Sequence, residues 1–326
     1  MALITLTKEE FQAYSDQVSS RSFMQSVQMG DLLEKRGARI VYLALNQEGE
    51  IQVAALVYSL PMLGGLHMEI NSGPIYTQQD ALPVFYVELK EYAKQNGALE
   101  LIVKPYETYQ TFDNDGNPID AEKKSIIQGL TDLGYQFDGL KTGYPGGEPD
   151  WLYCKDLNEL TEKTLLNSFS KKGKALVKKA DTFGIQLKKL NREELSIFKD
   201  ITKTTSERRE YSDKSLEYYE HFYDSFGEKA EFVIAILNLG EYIQNLIHKQ
   251  KELSEKIATS LLLLEQYPDS AQKKKEHKEL ARQYESFEVR KAEARELIKK
   301  YGEKDLVLAG RDRKSTRLNS SHRSLS

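Results

Sequence analysis

The apolar positions change period along the chain, and the changes mark out its elements. Thr7 followed three residues later by Glu10 is a capping-box pattern, and Phe11, Tyr14 and Val18 then recur at helical spacing, which predicts a short opening helix. A second helical stretch is expected over residues 25–36. Two runs rich in β-formers, residues 40–46 and 51–59, flank the turn Gln47-Glu48-Gly49-Glu50 and read as a β-hairpin. A strand near 66–70, a helix over 80–95, a strand over 99–104, a helix near 121–133 and strands around Tyr135 and Trp151 complete a mixed α/β unit ending near Asp156.

A lysine-rich helical stretch over 162–180 opens the second unit, followed by a strand at 185–190 and helices over 192–206 and 214–226. The run 232–238 then repeats the character of 41–46, and 305–310 that of 52–56, as though a hairpin turn had been opened for an insertion. The second unit therefore reads as a copy of the first. The insertion carries two apolar stripes in three-four steps, Ile243, Leu246, Leu253, Ile257 and Leu264, then Leu280, Tyr284, Phe287, Ala294 and Ile298. Pro268 and Asp269 supply the break between them. Because its ends must rejoin neighbouring strands, an antiparallel helical hairpin is expected, projecting from the body with arms of ~30 residues and ~45 Å.

Composition adjusts this picture in three places. At 326 residues the chain accommodates two domains with their own cores. A net charge of -4 argues against a wholesale nucleic-acid coat and moves attention to local charge. Cys154 is the single cysteine, so neither an internal disulfide nor a cysteine zinc cage can form, which suits a reducing compartment. Without an apolar leader segment or a run of ~20 apolar residues, a soluble cytoplasmic protein is expected. From Arg311 onward apolar content nearly vanishes, and residues 312–322 resemble the in-frame translation of a sequencing-library adapter, a natural basic tail being the alternative. Disorder is expected there. The tail's five basic residues against Asp312 leave residues 1–310 at -8, twice the acidity of the whole.

Three segments carry a resemblance to a known family: Ser22-Phe23-Met24-Gln25-Ser26, Asn71-Ser72-Gly73-Pro74-Ile75-Tyr76, and Ser168-Phe169-Ser170-Lys171-Lys172-Gly173-Lys174-Ala175 continuing to Lys178-Lys179-Ala180. In these the chain resembles the FemABX aminoacyl-tRNA-dependent peptidyltransferases, bacterial peptidoglycan-branching enzymes, and within them the MurM/MurN-like branch. The resemblance implies an α/β (α+β) fold of tandem GNAT-like (acyl-CoA N-acyltransferase-like) domains. Residues 1–156 would form the first domain and 157–239 plus 303–310 an incomplete second, interrupted by the coiled-coil arm at 240–302 and followed by the tail at 311–326. It implies transfer of alanine or serine from aminoacyl-tRNA to the stem-peptide lysine of lipid II, or of its UDP-MurNAc-pentapeptide precursor, at the cytoplasmic face of the membrane. No cofactor, metal, covalent intermediate or DNA partner is implied.

The residues that would do this have ordinary readings too. Lys35 and Arg36 fall where the family holds the precursor's pyrophosphate, although cations at a helix C-terminus are favourable in themselves. Tyr106, after Lys104 and Pro105, falls where a side chain could meet the stem peptide, or pack as a loop residue. Arg208 and Arg209 match the family's precursor-contacting arginine, and an arginine fork suits a phosphate or carboxylate. Residues 168–189 hold seven lysines against the single acid Asp181, more asymmetry than a solvated face needs, so Lys171, Lys172, Lys174, Lys178 and Lys179 are assigned to tRNA phosphates, with anionic lipid headgroups as the other taker. Lys273-Lys274-Lys275 near the hairpin tip fit either an RNA-gripping arm or a plain interaction arm.

Other chemistries find little support. His67, His221, His248 and His277 lack metal-ligand spacing, and no HExxH, Walker loop or Gly-x-Ser-x-Gly elbow occurs. Gly143-Tyr144-Pro145-Gly146-Gly147 lacks the Lys-Ser/Thr of a P-loop and reads as a turn. A non-catalytic tRNA or partner binding module remains the alternative class, and an acyl-CoA acetyltransferase, lacking its glycine-rich pyrophosphate loop, a third. The catalytic residue stays unassigned, since the family keeps its proposed lysine beyond the arm, in a segment expected to be missing after Gly310. The polypeptide is accordingly expected to be inactive, with an exposed sheet edge at 306–309. Branched lipid II formed from alanyl-tRNA by the purified 326-residue chain is the result that refutes this expectation.

Overall fold

The computed structural model describes residues 1–143, 150–210 and 212–314. Its backbone divides into two compact units, Met1–Cys154 with Glu217–Ala230, and Lys155–Leu216 with Glu231–Arg313. The glycine-rich turn expected at 143–147 and the tail from 315 onward lie outside the described residues, apart from Gly143.

The first unit is built on one sheet, in the order β1 (Ala2–Leu6), β2 (Arg39–Gln47), β3 (Glu50–Met62), β4 (Gly65–Asn71) and β6 (Ala98–Lys104), with β5 (Ile75–Tyr76) pairing to β3. Neighbours run antiparallel except β4 and β6, which are parallel. The β2–β3 turn is a two-residue connection with Glu48 and Gly49 both at positive φ, 54° and 92°, the geometry whose twist matches a right-twisted hairpin. Helix α1 (Lys8–Ser15) begins with the expected capping box: Thr7 accepts from the Glu10 amide and the Glu10 carboxylate accepts from the Thr7 amide. Helix α2 (Val27–Lys35) starts from Ser26, and α3 (Leu82–Gln95) carries Pro83 in its first turn.

Period-two alternation sorts the strands onto two faces. On one, Leu43, Leu45, Val53, Ala55, Val57, Met68 and Ile70 bury against Phe85, Leu89 and Ala93 of α3. On the other, Tyr42 and Leu56 lie under α1 and α2: the Phe11 and Tyr42 rings stack at 4.6 Å, and a Cβ on Gly30 would stand 2.2 Å from the Tyr42 hydroxyl. Where β4 and β6 extend this second face, its ionisable residues are His67, Glu69, Glu100 and Lys104, beside Asn71 and Ile102.

The second unit holds a three-stranded sheet in the order β7 (Gln186–Lys189), β8 (Ala230–Asn238), β9 (Asp305–Lys314). Before it come α4 (Lys124–Asp132) in the first unit, then α5 (Glu162–Leu165) and α6 (Lys171–Phe183); α7 (Leu195–Arg209) and α8 (Leu216–Phe226) lie between β7 and β8. The order strand, helix, helix, strand, strand thus occurs in both halves of the chain. Between β8 and β9 stand α9 (Leu239–Gln266) and α10 (Ala271–Tyr301), an antiparallel pair whose register is fixed by Gln250 bonding Glu288 at 2.6 Å and Ser260 bonding His277 at 2.7 Å. Leu239, Tyr242, Leu246 and Ala294 form the buried base of the pair, and Asn238 reaches Asp305 at 2.9 Å where the excursion closes.

The structure differs from the sequence reading in four places. Residues Ala2–Leu6 form β1, an edge strand whose five residues were not expected to be a strand. Tyr135 and Trp151 lie in no strand: Tyr135 instead packs its ring on Tyr86 at 5.9 Å and donates to the Tyr86 carbonyl, and Trp151 tilts against Phe112 at 5.4 Å. The expected helix over 162–180 is broken near Ser168, where a short 3-10 turn gives way to Ser170 capping α6. Strand β9 continues through Lys314, past the point where the chain's character changes.

Gln25, fully buried, ties these layers together. Its Oε1 accepts from the Leu56 amide at 2.8 Å and its Nε2 donates to the Asn71 carbonyl at 2.7 Å. Replacing it by leucine keeps the volume and strands a buried amide and a buried carbonyl. Gln25→Leu is expected to cost about 1–3 kcal/mol, read as a lower urea midpoint with an unchanged m-value, whereas the exposed control Gln95→Leu leaves the midpoint in place.

Candidate functional site

Helix α2 ends in two exposed cations, Lys35 and Arg36. Within the first unit they meet α8: the Lys35 ammonium donates to Ser225 Oγ at 3.1 Å, and the Arg36 guanidinium stands 5.3 Å over the Tyr218 ring. Helix α8 docks through aromatic rings, Phe222 and Phe226 stacked at 4.4 Å and Phe226 edge-on to Phe23 at 6.2 Å. The neighbouring ammonium and guanidinium offer charge-assisted donors suited to phosphate oxygens. Sequence reading found the two cations and the helix over 214–226 but not that the helix braces them, although the aromatics 218, 219, 222, 223 and 226 at helical spacing were the available signal.

The carboxyl ends of the parallel pair β4 and β6 form the second element of the site, the place where open α/β sheets generally receive ligands. The turn Asn71-Ser72-Gly73-Pro74 is pinned by the Gln25 amide, and the Gly73 amide donates to the Lys104 carbonyl at 3.0 Å. Gly73 admits no side chain, since a Cβ there would lie 2.6 Å from Gln25 Cδ. Two residues past Lys104, Tyr106 is about half exposed. Beside it Tyr76 donates to the Glu107 carboxylate at 2.6 Å, and burial together with that carboxylate pushes the phenol up to about 12.

Directly behind these ends run the ionisable residues of the second sheet face. Lys104 Nζ lies 2.8 Å from Glu69 Oε1, His67 Nε2 lies 3.2 Å from Glu69 Oε2, and His67 Nδ1 lies 2.7 Å from Glu100 Oε2. Sequence reading set His67 aside for want of metal spacing and passed over Glu69 altogether. Two polar residues alternating with Met68 and Ile70 inside an apolar strand were the legible sign.

In the second unit, Arg208 and Arg209 close α7 on an exposed end, and Glu210 turns the chain at a positive φ of 55°. The segment after that turn is held to the helix by Asp213, which bonds the Lys199 ammonium and the Thr202 hydroxyl. Burial works against the Asp213 charge, but Lys199, the Lys214 amide and Thr202 outweigh it and hold the carboxyl below its ordinary range. Helix α6 carries the lysines. Lys171, Lys174 and Lys178 share one side, with Lys172 and Lys179 on the adjoining stripe; all are exposed except the half-buried Lys174. Among the described residues, the structure places Lys35 with Arg36 and groups the five lysines on one helix, while no contact joins Tyr106 to the α2 cations.

A model of the FemAB family matches residues 6–311. The aminoacyltransferase FemB of Staphylococcus epidermidis (strain ATCC 12228 / FDA PCI 1200) is 28% identical over 261 residues, covering 78% of this chain and 62% of that protein. The aminoacyltransferase FemA of Staphylococcus aureus (strain MRSA252) is 25% identical over 316 residues, covering 95% of this chain and 75% of that one. This chain therefore spans under two thirds of the FemB relative's length. Among solved structures, a crystal structure of FemX superposes with a TM-score of 0.66 at 21% identity over 98% of this chain and 81% of its own, a likeness of fold.

The Asp213 tether yields a pH prediction. A carboxyl depressed in the folded state stabilises the protein above its unfolded pKa, and that contribution is lost as pH falls through the folded value. Asp213→Asn should therefore lower the thermal midpoint at pH 7, and the deficit should shrink steadily as pH drops below the usual carboxylate range. A deficit of constant size across that range contradicts the assignment.

Proposed function

The chain belongs to the FemAB family, as the sequence resemblance implied, and from that membership we propose that it works as an aminoacyltransferase of peptidoglycan cross-bridge synthesis. In this reading alanine or serine moves from aminoacyl-tRNA to the lysine branch of the lipid II stem peptide, or of its UDP-MurNAc-pentapeptide precursor. The family match over residues 6–311 is the observation that carries it. Two lobes of GNAT-like type, a coiled-coil arm in α9 and α10, and a cytoplasmic protein touching the membrane's inner face complete the proposal. The recurring strand-helix-helix-strand-strand order supports the duplication.

An aminoacyl ester is already activated, so the chemistry asks for alignment, a route for the amine's proton and stabilisation of the developing oxyanion. Lys35 and Arg36, braced by α8, suit the precursor's pyrophosphate. Tyr106 at the strand ends suits the stem peptide, and the Arg208 and Arg209 fork suits a further phosphate or carboxylate. Lys171, Lys172, Lys174, Lys178 and Lys179 give α6 a cationic surface suited to the RNA backbone.

Filter binding with alanyl-tRNA at increasing salt tests the reading. The slope should reflect ~4 to 6 neutralised phosphates, and alanine at Lys171, Lys172, Lys178 and Lys179 together should flatten it. Arg36→Ala or Arg209→Ala should weaken precursor binding about tenfold or more, the loss of a charge-assisted bond, with tRNA affinity unchanged. Salt-independent tRNA binding, or none, removes the RNA assignment. Label transferred to the precursor by this chain would establish the enzyme and refute the inactivity expected from its sequence, whereas both partners bound and never joined is what a non-catalytic binding module, or the inactive transferase, would give.

A further inference from the structure

The ionisable line on β4 and β6 is more than one ion pair. Glu69 has a side chain only 6% exposed, and a carboxylate so buried is costly unless compensated. Lys104 alone would supply a counter-charge. The network continues instead through both nitrogens of the His67 ring to Glu100, whose side chain is 51% exposed. An unbroken hydrogen-bonded path thus joins a buried carboxylate to a solvated one. Register holds it in place: His67 lies opposite Glu100, Asn71 opposite Lys104, and Tyr58 of β3 opposite Glu69. The Tyr58 ring lies 6.3 Å from that of His67, so among the described residues Glu69, Glu100 and Tyr58 are the titratable groups recorded against the imidazole.

Lys104 itself shows what Glu69 accepts. Its terminal group is a primary alkylammonium, 2.8 Å from the carboxylate, on a flexible stem 37% exposed and so able to swing outward. It sits at the carboxyl ends of the parallel strands, beside Tyr106.

We propose that Glu69 is the seat of the acceptor's primary amine, that the Lys104 ammonium occupies that seat until the acceptor displaces it, and that His67 and Glu100 carry the amine's proton to solvent. The proposal rests on the transferase reading and deepens it by locating the nucleophile. The acceptor ammonium gives one proton to the Glu69 carboxylate. Its freed electron pair forms the C–N bond to the acyl carbon, the ester C–O pair leaves with the ribose oxygen, and the second proton that the nitrogen sheds in becoming an amide goes to that oxygen, directly or through a water that gives up one proton as it takes the other. The proton on Glu69 passes through the imidazole to Glu100 and out, restoring the carboxylate. A base so placed contributes on the order of 10²–10⁴ to the rate.

The test needs no turnover. The full chain, labelled with carbon-13 in its histidine rings, is titrated with a lysine-containing stem-type peptide, and with the same peptide acetylated on the lysine amine. His67, assigned through His67→Gln, should respond saturably to the free amine and stay unmoved by the acetylated peptide, and Glu69→Gln should lose the response. Lys104→Met removes the competing ammonium and should tighten the peptide's apparent Kd by about three- to tenfold, a gain that misfolding does not produce. No response at His67, an equal response to both peptides, or weaker binding by Lys104→Met overturns the amine seat. Should His67 respond as expected while alanyl-tRNA fails to bind, the transferase reading falls and the amine site stands.

Discussion

One buried side-chain amide sets the geometry of the first unit. Gln25 uses both ends of its amide on backbone groups of different strands, Leu56 on β3 and Asn71 on β4, and it stands one residue before the Ser26 cap of α2. An unmade bond at such depth is expensive, so the arrangement is close to all-or-none. It forces glycine at position 73, delivers the Gly73 amide to the Lys104 carbonyl, and so fixes the end of β6 from which Lys104 and Tyr106 project. From the same anchor α2 runs out to Lys35 and Arg36. The cationic helix end and the ionisable strand ends are therefore two consequences of one constraint.

The first unit shows how a sheet can hold charge without spoiling its core. Alternation sends Met68, Ile70, Leu101 and Val103 toward α3 and leaves Glu69, His67, Glu100 and Lys104 on the face that α1 and α2 cover only over the earlier strands. In the second unit cationic groups lie along α6 and at the end of α7, with Lys188 and Lys189 on β7 paired to Glu194 and Glu231. Such an arrangement would suit the proposed transfer, in which strands hold a proton route rigidly while helices present exposed charge to a polyanion.

Local chemistry made most elements legible. The Thr7 capping box, the Glu48-Gly49 turn and the paired stripes of the insertion each encode their structure within a few residues, and each appears where the pattern put it. Short edge strands and long-range partners were harder. Strand β1 escaped notice in five residues before the first helix, although β7, its counterpart in chain order, was read from similar material. The aromatic content around Tyr135 and Trp151 suggested strands, but those rings serve packing against Tyr86 and Phe112. At the site, the exposed cations were found because charge is visible in a sequence. The Gln25 clamp spans 31 and 46 residues, and the link from His67 to Glu100 spans 33, so both depend on a strand register that no local pattern specifies. Helix α8 was likewise expected with the second half of the chain, whereas its rings pack on α2 and Phe23.

The central claim for the first unit is that an amine is received at the strand ends that Gln25 fixes. A crystal structure of the protein with a lysine-bearing stem peptide decides this directly. The peptide's lysine nitrogen is expected within hydrogen-bonding distance of Glu69, with Lys104 turned out toward solvent and Gln25 still bonded to Leu56 and Asn71. A peptide bound elsewhere, with the Lys104 and Glu69 pair intact, would contradict it.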